Sequence, residues 1–172
     1  MTTTSTTTTA NTTPANPTVV NTTAPNTVSL DQLNQWSSDS SLIKQHLLEI
    51  VQSFAMDDLE IRACAAECME TLEQIEDSLA ASIVPLCKHS CEFVASWSCY
   101  ALGKAKDVEK FQGHLAKVLS SSPSLLVKQE AAKALQNLSH AEESTMKALE
   151  QATKSTDARL QRLARNAIEI IG

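Results

Sequence analysis

Four nine-residue segments of this chain align without a gap: Ile61–Met69, Val94–Leu102, Val127–Leu135 and Leu160–Ile168, so their starts recur every 33 residues. Repetition at a fixed period of this size confines a chain to architectures built by stacking one unit on the next. Counting Ile61, Val94, Val127 and Leu160 as position 0, position 4 is Ala65, Ser98, Ala131 and Ala164, and position 7 is Cys68, Ala101, Ala134 and Ala167. Position 8 is Met69, Leu102, Leu135 and Ile168, and position 11 is Leu72, Ala105, Leu138 and Ile171. Positions 0, 4, 7, 8 and 11 share one face of a helix with 3.6 residues per turn. Small side chains at 4 and 7 allow close helix approach, and larger ones at 0, 8 and 11 fill the space between helices.

Three residues before each start stand Asp58, Cys91, Ser124 and Asp157. Asp and Ser accept hydrogen bonds from the free amides of a helix's first turn; Cys91 is the poor fit, and Ser90 is the expected substitute. Second amphipathic segments precede the aligned ones at Ser41–Phe54, Ser78–Lys88, Val108–Leu119 and Glu143–Ala152. A short helix is predicted at Ser29–Trp36, capped by Ser29, with Leu30, Leu33 and Trp36 on one face and Trp36 covering the open end of the domain. The predicted fold is all-α: a right-handed α-solenoid of about four helical hairpins over residues 29–172. A single hairpin cannot bury its own apolar face, so stacking completes the core. Residues 1–28 contain 13 Thr and no charged side chain. That composition cannot offset the entropy of ordering, and the segment is predicted to be a disordered tail.

Composition supports helices and limits the partners. Hydrophobic content is 42 % but aromatic content only 3 %, so the core must rest on aliphatic side chains and Cys. Three Gly cannot supply the turns of four ankyrin units, and the Thr-Pro-Leu-His start of that repeat is absent. A tetratricopeptide pattern around Trp97, Gly103 and Pro123 has wrong offsets and does not repeat. A net charge of −6 gives no reason to approach nucleic acid or an anionic membrane. The charge is uneven: residues 31–90 carry 11 acidic and 3 basic groups, residues 91–172 carry 9 and 11. No run approaches the length of a membrane span, and Met1 is not followed by a signal-peptide pattern. Five Cys without a Cys-x-x-Cys motif point to reduced thiols and a cytoplasmic location.

The aligned segments resemble HEAT-like repeats, especially the short class found in phycobilin lyases and bacterial scaffold proteins. That family's second helix reads roughly Asp-x-x-Val-Arg-x-x-Ala-Ala-x-Ala-Leu. Asp58-Leu59-Glu60-Ile61-Arg62 and Val127-Lys128-Gln129-Glu130-Ala131-Ala132-Lys133-Ala134-Leu135 match it well, and Pro85 resembles the proline common in the family's first helix. The resemblance covers residues 41–172. It implies a concave face lined by the second helices, and an adaptor or scaffold role. It also leaves an alternative, a lyase- or chaperone-like factor for a chromophore-bearing protein.

No arrangement for catalysis stands out, so the chain is read as non-enzymatic, without cofactor. No His is followed by Glu, which excludes the His-Glu iron site of the deoxyhypusine hydroxylase branch. Cys64 and Cys68 lie four apart, and Cys87, His89 and Cys91 cluster; convergence would suit zinc. Cys68 and Cys99 more simply occupy small-residue positions of the repeat. The expected binding face uses helix positions 2, 6 and 9, which turn away from the core. Its candidate residues are Glu67, Glu70, Tyr100, Gln129, Lys133, Arg162 and Asn166. Differing side chains on equivalent positions suit a recognition surface, and equally a plain solvent face. Trp97, at position 3, is expected in the core. Ile170 falls outward on the last helix, which predicts an open apolar strip and end-to-end association.

Overall fold

The computed structural model describes residues 28–172; the predicted disordered tail otherwise lies outside these residues. α1 (Leu30–Ser37), α2 (Ser40–Gln45) and α3 (Leu47–Ser53) precede α4 (Leu59–Glu70). α5 (Asp77–Ile83) and a 3₁₀ turn (Val84–Lys88) lead to α6 (Glu92–Leu102), and a 3₁₀ turn (Val108–Phe111) opens α7 (Gln112–Ser121) before α8 (Leu125–Leu135). α9 (Glu143–Ala152) and α10 (Ala158–Ile171) close the fold. The four aligned segments are α4, α6, α8 and α10. They form the second helix of each pair, and α6, α8 and α10 pack side by side in one row. α7 and α9 pack together in the other row, and α1 packs against α4 at the beginning of the stack.

The repeat's core face is observed as the periodicity predicts. At position 4 all four residues are buried, and at position 7 likewise. Asp58, Ser124 and Asp157 each accept from first-turn amides through their side chains. Ser29 forms a reciprocal capping box with Gln32, and Leu33 and Trp36 are buried. Val28 is buried as well, so the core begins one residue before the expected boundary.

Three local expectations are corrected. Cys91 itself is the N-cap of α6, without a side-chain cap, and Ser90 does not replace it; instead the Cys91 amide donates to His89 Nδ1 at 3.1 Å. The expected helix over Ser41–Phe54 breaks at His46 (φ −108°, ψ 19°), whose ring stacks on Trp36 at 4.2 Å. The segment Ser78–Lys88 is α-helical only to Ile83, because Pro85 lacks an amide to continue the ladder and the chain tightens to 3₁₀.

Successive units are tied by polar contacts between residues about one repeat apart. The Asp77 carboxylate accepts from the Asp107 amide at 3.0 Å and from Lys110 Nζ at 2.6 Å. Glu109 accepts from the amide and hydroxyl of Ser139, and Gln112, itself buried, accepts from the Glu142 amide at 2.8 Å. Ile75 forms a parallel bridge with Ala105: its amide donates to the Lys104 carbonyl and its carbonyl accepts from the Lys106 amide, each at 2.9 Å. The Lys110 hydrogen bond to Asp77 holds that carboxyl below its ordinary range, and the Ser139 donors do the same for Glu109. Both groups therefore contribute stability at neutral pH that is lost as pH falls through their lowered folded-state values.

Second helices approach closely at Gly103, the C-cap of α6. A Cβ there would stand 2.9 Å from Ala134 Cβ on α8, whereas a Cβ at Gly113 on α7 would meet nothing within 4 Å. Gly103→Ala is expected to lower stability by roughly 1–3 kcal/mol through overpacking. Gly113→Ala should be neutral or gain up to about 1 kcal/mol from helix propensity. Urea titration of the two variants separates the effects; equal midpoints would show that the α6–α8 seam yields freely.

Candidate partner-binding groove

One edge of each second helix faces the unit that follows. On α6 it includes Gly103 at position 9, whose carbonyl accepts from Asn137 Nδ2 at 2.8 Å. On α8 it includes Gln136, which donates to the Leu163 carbonyl at 3.0 Å. The equivalent residue on α4 is Glu70, which is exposed. A carboxylate cannot enter a dry helix seam without a partner. α6 accordingly packs against α3 rather than closely against α4, and the Trp97 indole stacks on buried Phe54 (centroids 5.1 Å apart, planes 15°).

Beside it, α6 and α8 frame a groove of about 380 Å³ lined by Phe93, Ser96, Trp97, Tyr100, Leu126, Glu130 and Lys133, with Glu70 of α4 at its margin. A second hollow of about 250 Å³ continues it past Tyr100 and Lys133 to Lys104 and Asn137. Phe93, Trp97 and Tyr100 follow one another at four- and three-residue steps on α6, forming an aromatic stripe beside the core stripe. Phe93 is 39 % exposed. Tyr100 meets Trp97 edge-on (5.2 Å, 74°), and Lys104 and Lys133 reach its ring at 5.4 and 5.5 Å. Glu130, its side chain only 15 % exposed, stands 4.0 Å from Lys133 and 3.7 Å from Arg159. Burial raises the Tyr100 pKa above its ordinary value; Lys133 opposes the shift, and Glu70 and Glu130 add to it.

Of the sequence-derived candidates, Glu70, Tyr100 and Lys133 meet in this groove. Glu67 is exposed on α4 outside its lining. Gln129 does not belong to an open face: it is 7 % exposed and donates to Asp157 Oδ1 at 3.0 Å, the same oxygen that caps α10. The neighbouring helix covers it, so position 2 is not uniformly outward, and Ser96 is buried for the same reason. Arg162 and Asn166 are exposed on α10, away from the groove. Ile170 is 59 % exposed, but it is the one strongly exposed large apolar side chain of α10. The edge of that helix carries Arg162, Arg165 and Glu169, all exposed, where the internal units bury Gln129 and Ala132. The expected apolar strip is therefore a single residue beside a charged edge.

Trp97, Phe93, Leu126 and Glu130 were absent from the expected face. Trp97, expected in the core, is half-buried and lines the groove instead. The legible signal was α6 itself, whose Phe93, Trp97 and Tyr100 exceed what one core face needs. All five thiols are free: Cys68 Sγ donates to the Leu33 carbonyl, Cys64 Sγ to Asn34 Oδ1 and Cys91 Sγ to the Phe54 carbonyl, while the buried Cys87 and Cys99 lie against each other. Burial, then Glu67, pushes the Cys68 thiol up to about 11. Among the described residues no group of three His, Cys, Asp or Glu converges to hold a metal ion. Nor is any described helix long and apolar enough to cross a membrane.

No protein-family model matches the chain, and no curated protein matches its sequence. Solved structures do. An engineered protein from the Northeast Structural Genomics Consortium matches with a TM-score of 0.51 and 21 % identity, over 82 % of this chain and 72 % of that one. A designed armadillo repeat protein in complex with the peptide (KR)4 matches with a TM-score of 0.51 and 16 % identity, over the same shares. The chain is thus a helical-repeat solenoid of the armadillo-like kind.

Because Tyr100 is the only tyrosine, its ionisation can be followed directly. Tyrosinate absorbance is expected to rise above the ordinary value of 10.0 in the folded protein and to return toward it in urea. With the folded value raised, the neutral phenol stabilises the fold below the unfolded value, and that contribution is lost as pH rises through the folded one. A folded-state titration at or below the ordinary value would place the ring in water.

Proposed function

We propose that this chain is a non-enzymatic protein-interaction module, seating a segment of a partner protein in the Phe93–Trp97–Tyr100 groove on its second-helix face. The observation that carries the reading is the aromatic stripe of α6, Phe93, Trp97 and Tyr100, left partly exposed on the second-helix face. Aromatic side chains set in a concave site, with polar groups around them, are where protein interfaces concentrate their binding energy. Ordering such rings also costs little, since Trp97 is already held by Phe54 and Tyr100 by Trp97 and two lysines. The peptide complex of the designed armadillo neighbour supports the same use of the fold. Fold analogy alone is a weak warrant, and the groove residues bear the argument. Five free thiols, three of them buried, suit work in the cytoplasm.

Affinity capture from the source cell, repeated with variants, tests this. Partner recovery is expected with the native chain and should fall at least about 30-fold in affinity for Tyr100→Ala, a loss of about 2 kcal/mol typical of an interface anchor. Lys133→Glu should weaken it as well, while helical content by circular dichroism stays unchanged. Capture that survives both substitutions with undiminished affinity would move the binding site off this face.

A further inference from the structure

The five thiols divide into two sets. Cys64, Cys68 and Cys91 each donate to an oxygen of another element, whereas Cys87 and Cys99 have each other. Cys87 belongs to the 3₁₀ turn Val84–Lys88, which packs along α6, and Cys99 stands on α6 itself. Both are buried. The Cys99 thiol hydrogen-bonds the Cys87 sulfur; that bond first, and burial second, hold Cys99 protonated well above its ordinary range. A hydrogen bond received by a sulfur favours its thiolate, so Cys87 is the better nucleophile of the two. Access divides them in the same sense. Cys87 lines a pocket of about 300 Å³ together with Lys88, His89, Ala95, Val118 and Val127, and Cys99 lies against it outside that lining. Glu92, the acid among the lining residues, is engaged by the Ser124 hydroxyl at 2.6 Å. A small oxidant entering the pocket therefore meets the Cys87 sulfur first, with a second thiol already in place behind it.

We propose that Cys87 and Cys99 are a reversible oxidation site, in which a hydroperoxide oxidises Cys87 and Cys99 resolves the product to a disulfide. In the first step the Cys87 sulfur attacks one oxygen of hydrogen peroxide. The S–O bond forms, the O–O bond breaks, and the departing hydroxide takes the Cys87 proton as water; sulfur is oxidised to a sulfenic acid and the peroxide is reduced. In the second step the Cys99 sulfur attacks the Cys87 sulfur. The S–S bond forms, the S–O bond breaks, and hydroxide leaves with the Cys99 proton as a second water. Two thiols and one peroxide thus give one disulfide and two waters, and a small dithiol reverses the change by exchange. Sulfurs already in contact meet the proximity a disulfide requires without backbone movement. The product ties the 3₁₀ turn to α6, the helix that carries Phe93, Trp97 and Tyr100. In a reducing compartment the pair rests as a dithiol, and its disulfide is a transient response to oxidant.

Mass spectrometry of the reduced full chain after brief exposure to hydrogen peroxide at neutral pH, followed by alkylation, tests the proposal. The expected product has lost two hydrogen atoms and two alkylatable thiols, both recovered with dithiothreitol. The triple variant Cys64→Ser/Cys68→Ala/Cys91→Ser, which keeps only the pair, should give the same product at the same rate. Cys99→Ser should stop at a sulfenic acid on Cys87, trapped by dimedone, and Cys87→Ser should abolish the loss of thiols. Circular dichroism of each variant before oxidation confirms that it is folded. A disulfide joining Cys64 to Cys68 would overturn the assignment. So would thiols that resist peroxide in the folded chain and react only in urea, because the pocket then admits no oxidant. Dimedone trapping of Cys87 as extensive with Cys99 present as with Cys99→Ser would remove the resolving role and overturn the pair.

Discussion

The contact between Gly103 of α6 and Ala134 of α8 sets the scale for the rest of the stack. With a would-be Cβ only 2.9 Å from its neighbour, the two helices meet almost backbone to backbone. That proximity lets Asn137 reach the Gly103 carbonyl, and it brings Cys99 and Ala132 out of solvent without large side chains to fill a gap. Each unit then depends on the next for its buried area, which is how a solenoid becomes cooperative. Where the same position holds Glu70, the seam cannot close in that way. The groove lies beside that seam, framed by α6 and α8 with Glu70 of α4 at its margin.

Charge follows the same division. Inside the stack, polar groups are consumed in pairs between units, as Asp77 with Asp107 and Lys110, Glu109 with Ser139, and Gln129 with Asp157. The exposed pairs help fix the register between units, and the bond of the buried Gln129 matters most, since an orphaned buried amide costs more than the bond gains. At the first seam the acids of α4 have no equivalent unit to meet. Aromatic rings and carboxylates therefore share one open surface, a combination that a closed seam would not tolerate.

Much of this was legible beforehand. The 33-residue period, the core positions 0, 4, 7, 8 and 11, and the caps at Asp58, Ser124 and Asp157 are local properties, readable from one helix at a time. Cys68 and Cys99 as replacements for small core residues belong to the same class. Glu70, Tyr100 and Lys133 were identified because an outward position on a helix is also a local property. Gln129 and Trp97 depart from their expected places for one reason: their surroundings are decided by another helix. Gln129 faces a neighbour that covers it, and Trp97 faces one that stands back.

The sequence by itself determined the repeating helical unit, where each helix starts and which stripe it buries, because 3.6-residue periodicity and capping act over a few residues. It also carried the acidic bias of the first half as plain composition. Only the tertiary structure decided which outward stripes stay open. That choice rests on how closely successive helices approach, and the approach is governed by pairs such as Gly103 with Ala134, or Trp97 with Phe54, that lie 31 and 43 residues apart and meet only in the stack.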